Sequence, residues 1–235
     1  MAEPGDLLAE AIGHSPPVGR VVLIGDCVEI SGAFLLHLLL KRCLSLDSSS
    51  VVFIALSHPF SHYDRILRKM GCNLSVQRKN EKLHFLGLQD FSAGCKGNSI
   101  DHGFCKLYNE IRKAVEAARS KEIKAGCVFI MIDDLSLLEI AGDGSDNDVL
   151  DFVHYCATFT SKMDCSLIIL NHDDVYSSEE APGLLTHLQH ISDIEIKAAP
   201  LNTGLAADVH GQFLSLNSEI HSEPVNGNTL YPLLL

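Results

Sequence analysis

Short apolar runs along this chain alternate with segments whose apolar residues recur at helical spacing. Val21-Val22-Leu23-Ile24 ends at Gly25, and a turn through Asp26 to Ser31 leads into a helical stretch from Gly32 to Leu44. Val51 to Leu56 is a β-branched run that predicts a strand, Ser61 to Met70 a helix stopped at Gly71, and Leu83 to Leu88 another strand. From Phe104 onward apolar residues fall at 104, 107, 108, 111, 114, 115 and 118, one face of a helix with charges opposite. Cys127 to Ile132 is continuously apolar, as a strand buried on both faces must be. Val149, Leu150, Val153, Cys156 and Ala157 share one side of a second amphipathic helix, and the strand Ser166 to Leu170 ends in Asn171-His172-Asp173-Asp174. Asp193 to Lys197 and Asp208 to Leu216 alternate as a terminal antiparallel pair. Strands alternating with helices predict an α/β fold, a mostly parallel sheet with helices on both faces.

The expected layout is a flexible N-terminal segment at 1–20, one domain at 21–217 and a C-terminal tail at 218–235. Gly-, Ser-, Asn- and Asp-rich stretches at Ser92–Gly103, Gly142–Asp148 and Ser177–Gly183 read as loops. With 235 residues, 46% of them hydrophobic and 20% charged, the chain can bury one good-sized core. The helix from Gly32 to Leu44 is apolar nearly all round, so either its own domain or a partner must cover it.

Composition narrows the function. Eight cysteines sit at irregular positions, none in C-x-x-C spacing, which suits small buried hydrophobes in a reducing compartment rather than a disulfide framework or zinc site. Met1 to Pro17 carries Glu3, Asp6 and Glu10 and lacks a signal-peptide pattern, and the longest apolar stretch, Ala33 to Leu40, is too short to span a bilayer. A soluble cytoplasmic or nuclear protein with no membrane partner is expected. The net charge of -12 argues against a stand-alone nucleic-acid binder. The basic residues Arg65, Arg68, Lys69, Arg78, Lys79 and Lys82, then Arg112, Lys113, Arg119, Lys121 and Lys124, read as solvated helix and turn surface.

Candidate chemistry begins at Gly25, where strand, loop and helix follow in the order of a phosphate-binding loop. That loop needs the spacing G-x-x-x-x-G-K-[ST], the Lys neutralising phosphate and the Ser or Thr holding magnesium. Counted from Gly25, the last three positions are Ile30, Ser31 and Gly32; with Gly32 as the second glycine, Ala33 and Phe34 fall in the Lys and Ser/Thr slots. Neither frame supplies a cation. Asp133 and Asp134 end the strand Cys127–Ile132, where such enzymes place the acid that holds magnesium; a simple turn cap is the other reading.

This order of elements resembles the RecA-type ATPase core. The resemblance implies a catalytic Glu after the second core strand, where Ser57 stands here, and a polar sensor, a place Asn171 can fill. Asp133 would then be a surviving metal-holding acid, while Lys, Ser/Thr and Glu are gone. Losing the positive charge and the base together costs several kcal/mol of transition-state stabilisation, so independent ATP hydrolysis is not expected.

At a finer level the chain resembles the Elongator complex protein 6 family. The residues that carry this are Val52 to Leu56 with Phe60-Ser61-His62-Tyr63, Ile132 to Leu138, Val149 to Cys156, and Thr203-Gly204 with Asp208-Val209-His210-Gly211-Gln212. The resemblance implies a RecA-fold subunit without the usual ATPase motifs. It would join two other RecA-like Elongator subunits in a hetero-hexameric ring that, with the remaining Elongator subunits, supports modification of wobble uridines in tRNA, in cytoplasm and nucleus. The chain ends at Leu235, where the family leads one to expect further sequence. No catalytic, cofactor-binding or metal residue is assigned, and no cofactor is expected. The competing expectations are a divergent RecA-type ATPase whose nucleotide site a neighbouring subunit completes, and a scaffold domain unrelated to RNA.

Other chemistries find little support. His58 precedes Pro59 and is not expected to share a helix face with His62, while His187 and His190 lack an evident carboxylate or Cys partner. There is neither a G-x-S-x-G elbow nor a G-x-G-x-x-G fingerprint.

Overall fold

The computed structural model describes residues 15–87, 101–121, 126–141, 146–176, 183–200, 211–217 and 229–233. Eight strands, β1 (Val21–Asp26), β2 (Ser49–Ala55), β3 (Leu83–Gly87), β4 (Cys127–Ile132), β5 (Cys165–His172), β6 (Ile194–Ala199), β7 (Gly211–Asn217) and β8 (Thr229–Leu233), form one sheet in the order β3-β2-β4-β5-β1-β6-β7-β8. β1 to β6 pair in parallel and β7 and β8 close the far edge antiparallel. Seven helices accompany them among the described residues: α1 (Ala33–Ser45), α2 (Phe60–Lys69), α3 (Leu74–Lys79), α4 (Asp101–Lys121), α5 (Ser136–Ala141), α6 (Asp146–Met163) and α7 (Leu184–Ile191). A 3-10 turn, Asp173–Tyr176, follows β5. Among the described residues no helix is long and apolar enough to cross a membrane.

Strand periodicity splits the core in two. In β2, Val51, Phe53 and Ala55 point to one face and Val52 and Ile54 to the other, because successive side chains alternate across a sheet. The first face packs Leu35, Leu36, Leu39 and Leu40 of α1 with Tyr63 and Leu67 of α2 and Leu74 of α3. The second packs Leu107, Ile111 and Val115 of α4, Val149, Phe152 and Val153 of α6, and Leu184 and Leu188 of α7. Full burial stabilises by roughly 1.5–3 kcal/mol per large apolar side chain, and Phe53, completely enclosed, would cost about 3–5 kcal/mol if cut to Ala. The all-round apolarity of α1 has its cause here: Phe34 and Leu38, off its most buried stripe, still pack against the same core.

Local chemistry places the boundaries. α2 stops at Gly71, whose φ of 83° suits glycine; the Gly71 N–H donates to Arg68 O and the Cys72 N–H to Leu67 O, closing the last turn. α3 begins at Asn73, whose side chain accepts the Val76 N–H at 3.1 Å. The sequence reading contains neither α3, α5 nor α7, each of six to eight residues and too short for a helical stripe to stand out. α4 and α6 start at Asp101 and Asp146, inside segments read as loops. The segment read as a tail from 218 supplies β8, paired with β7. Residues 1–14 and the Thr203-Gly204 and Asp208–His210 blocks lie outside the described residues.

Candidate functional site

The carboxyl ends of β1, β4 and β5 bring together Asp26, Asp133, Asp134 and His172, with Asp173 and Asp174 on the 3-10 turn. This is where open α/β sheets hold ligands. Two arrangements share the space.

The first is the loop after β1. Cys27 and Ile30 exchange backbone bonds at 3.4 and 3.1 Å, closing a two-residue turn instead of a wide phosphate cradle. Asp26, 2% exposed, turns its Oδ2 to the N–H of Gly32 at 2.7 Å. Gly32 is the N-cap of α1 and has no side chain with which to cap it, so Asp26 does so from six residues upstream. An N–H at the start of such a helix is the donor a phosphate loop aims at its anion. The Val28 N–H donates to Asp174 Oδ2 at 2.8 Å, and Asp173 lies so close over Gly25 that a Cβ there would come within 2.6 Å of its Oδ2. Gly25, the Val28 N–H and the Gly32 N–H each therefore meet a carboxylate of the chain itself.

Two basic side chains, His172 and Lys197, face these acids. Asp26 Oδ1 is bonded to His172 Nδ1, and His172 Nε2 lies 3.2 Å from Asp134 Oδ2. Lys197 on β6 stands 3.2 Å from Glu195 and 3.8 Å from Asp173. Burial raises the Asp26 carboxyl above its ordinary range, opposed by the Gly32 N–H and by His172. Burial likewise raises Asp173, opposed by Lys197 and Asn171.

The second arrangement surrounds Asp133, 3% exposed. Its Oδ1 accepts the Leu56 N–H at 2.7 Å, and its Oδ2 accepts the Ser57 N–H at 3.1 Å and the Tyr63 hydroxyl. Asp133, which the RecA resemblance would make a metal-holding acid and which the local reading makes a turn cap, gives its lone pairs to three internal donors and ties β4 to the end of β2 and to α2. Burial is the main influence raising its carboxyl, with the three donors opposing; burial and the adjacent carboxylate push Tyr63 well above the usual phenol range. Ser57, in the place of a catalytic base, bonds through its hydroxyl to Asp134 at 3.4 Å. Asn171 is fully buried and its amide reaches Asp173 at 3.4 Å. Among the described residues no group of three or more His, Cys, Asp or Glu is arranged to hold a metal.

His58 lies outside α2, whose N-cap is Pro59, yet its ring stacks on that of His62 with centroids 4.1 Å apart. His37, buried beneath them, is lowered to about 4 by burial and by those two rings. The basic groups are largely engaged at the surface: Arg68 with Asp64 at 2.8 Å, Arg78 over the Phe60 ring, Lys82 on Leu46 O, and Lys113 with Glu110. Asp26, His172, Asp173 and Asp174 were not singled out as a site from the sequence. No local signal joins Asp26 to His172, which stand opposite each other because β1 pairs in parallel with β5.

Fold and site together define a RecA-like α/β domain whose loop after β1 is closed by its own acids. A KaiC-like protein from the archaeon Pyrococcus horikoshii shares the fold, with a TM-score of 0.63 at 14% identity over 95% of this chain and 89% of that one. Residues 6–229 match the family model described as Elongation complex protein 6, and the chain belongs to that family. It is 32% identical to human Elongator complex protein 6 over 209 residues, covering 83% of this chain and 77% of that protein. Identity to the Xenopus laevis protein is 31% over 221 residues, 87% of this chain and 82% of that one.

Proposed function

We propose that this chain is a non-catalytic subunit of Elongator, joining two other RecA-like subunits in a hetero-hexameric ring that supports modification of wobble uridines in tRNA. Membership of the family supplies the complex. The observation that carries the non-catalytic reading is the Asp26 carboxylate seated on the Gly32 N–H, where a nucleotide phosphate would have to sit. Asp133, the residue that most favoured a divergent ATPase completed by a neighbour, is bonded to three internal donors.

Assembly is supported by the rim of the closed loop. Val28 is 93% exposed and Val175 half-exposed, on either side of the Val28 N–H···Asp174 bond, so an adjoining subunit would cover apolar surface there. Contact with tRNA would come mainly through partners: Asp173 and Asp174 repel phosphate, and Glu179 and Glu180 lie outside the described residues. Arg65, Lys69 and Lys79, all exposed, are the cations this chain would add. A cytoplasmic and nuclear location belongs to the same proposal, supported by cysteines used as apolar filling, with burial pushing the Cys156 thiol up to about 12.

Coexpression with the two RecA-like partners, followed by mass measurement of the native complex, tests the ring. A complex containing all three chains is expected, and a monodisperse monomer that ignores them would overturn it. Calorimetry of the purified chain with ATP tests the closed loop separately: no binding is expected, and stoichiometric binding would overturn the non-catalytic reading.

A further inference from the structure

β5 lies between β4 and β1, and each of the three strands ends in a polar group at the same edge: Asp134 just beyond β4, His172 on β5, Asp26 on β1. The imidazole uses both nitrogens, Nδ1 on Asp26 and Nε2 toward Asp134 at 3.2 Å. A neutral imidazole has one N–H and one lone pair, so it can donate to one carboxylate only and would turn its lone pair on the other. An imidazolium donates to both. The nitrogens diverge to separate acids, which also excludes a shared metal between them.

We propose that His172 is held as an imidazolium and acts as a proton-dependent latch, the internal cation that bridges β1 to β4 and keeps the loop after β1 closed. A proton on His172 makes this bridge from within the chain, without a ligand.

The other groups facing the latch agree. On the β4 side, Asp134 also accepts the hydroxyls of Ser136 and Ser57 at 2.5 and 3.4 Å. Asp26 carries the Gly32 N–H. From the 3-10 turn, Asp173 faces Asp26 and is itself balanced by Lys197, which also pairs with Glu195 of β6. Asp174 is occupied by Val28. Burial by itself would lower His172; its bond to Asp26, and the charges of Asp26 and Asp134, outweigh burial and hold it above the ordinary histidine value. Stability from a raised histidine is complete below its unfolded pKa and lost as pH rises through the folded one.

Hydrogen exchange on the full chain, alone or copurified with its partners, tests the latch. The peptide spanning Cys27 to Gly32 is followed from about pH 6 to about pH 9, with rates corrected for intrinsic exchange. Opening that releases one proton should reduce protection about tenfold per pH unit from about 6.5 up to the latch's own pKa, then level off. Peptides from β2 serve as the unchanged reference. His172→Gln should abolish the slope and leave the loop less protected at about pH 6. If that variant does not fold, Asp134→Asn provides the second arm: one carboxylate fewer should end the slope at a lower pH. A wild-type loop with no slope, a slope that survives His172→Gln, or an Asp134→Asn profile identical to wild type would each overturn the latch.

Discussion

Asp133 and Asp134 are consecutive and almost equally buried, at 3% and 4% exposure, yet they solve the cost of a buried carboxylate in opposite ways. Asp133 is surrounded by neutral donors, two backbone N–H groups and the Tyr63 hydroxyl, and acts as a clamp between strands. Asp134 faces a cation, His172, along with two serine hydroxyls. The difference teaches that two adjacent buried acids can be accommodated by different chemistry. One acid becomes part of the core's hydrogen bonding, and the other is met by an internal cation.

The comparison breaks most visibly at the clamp. Asp133→Ala should lower unfolding free energy by about 3 kcal/mol or more, since it strands two buried donors, the Leu56 N–H and the Tyr63 hydroxyl, and Tyr63→Phe by about 1–3 kcal/mol, in denaturant titrations. A neutral Asp133→Ala would return this residue to the role of an unused metal ligand. At the charged end, Asp26→Ala should cost about 1–3 kcal/mol at pH near 7, because the Gly32 N–H and the imidazole both lose their acceptor. Its deficit relative to wild type should shrink as pH rises through the His172 transition, whereas the Asp133→Ala deficit should not follow that transition. Equal pH profiles for the two would erase the distinction.

Smaller effects sharpen it. Asp174→Ala removes an acceptor from the exposed Val28 N–H, which water can replace, so a loss under about 1 kcal/mol is expected from thermal melts. Ser31→Lys restores the missing cation in name only. With Asp26 on the Gly32 N–H and Asp173 against Gly25, no ATP turnover above background is expected in a phosphate-release assay, and measurable turnover would show that the loop opens.

Much of the fold was legible because long-period patterns dominate it. Five of the six parallel strands read as apolar runs, β6 as an alternating strand, and α4 and α6 as amphipathic stripes, since burial on one face or two imposes a spacing that survives in a single sequence. The short helices α3, α5 and α7 escaped, having too few turns to display a stripe, although Asn73 before Leu74 was a usable cap signal. Strand β8 escaped because its place depends on pairing with β7, a contact between distant segments.

For the site, the sequence by itself determined what was missing: no Lys after Gly25, no Ser or Thr for magnesium, and Ser57 where a Glu would stand. Residue identity at a fixed spacing decides that. Only the tertiary structure decided what fills the space. Asp26 and His172 are 146 residues apart along the chain and meet because β1 and β5 pair in register. Asp133 and Tyr63, 70 apart, meet because α2 packs over the end of β2. A carboxylate's role depends on whether the donor that reaches it is a neutral hydroxyl or an imidazolium, and strand order sets that choice, bringing β5 rather than α2 beside Asp134.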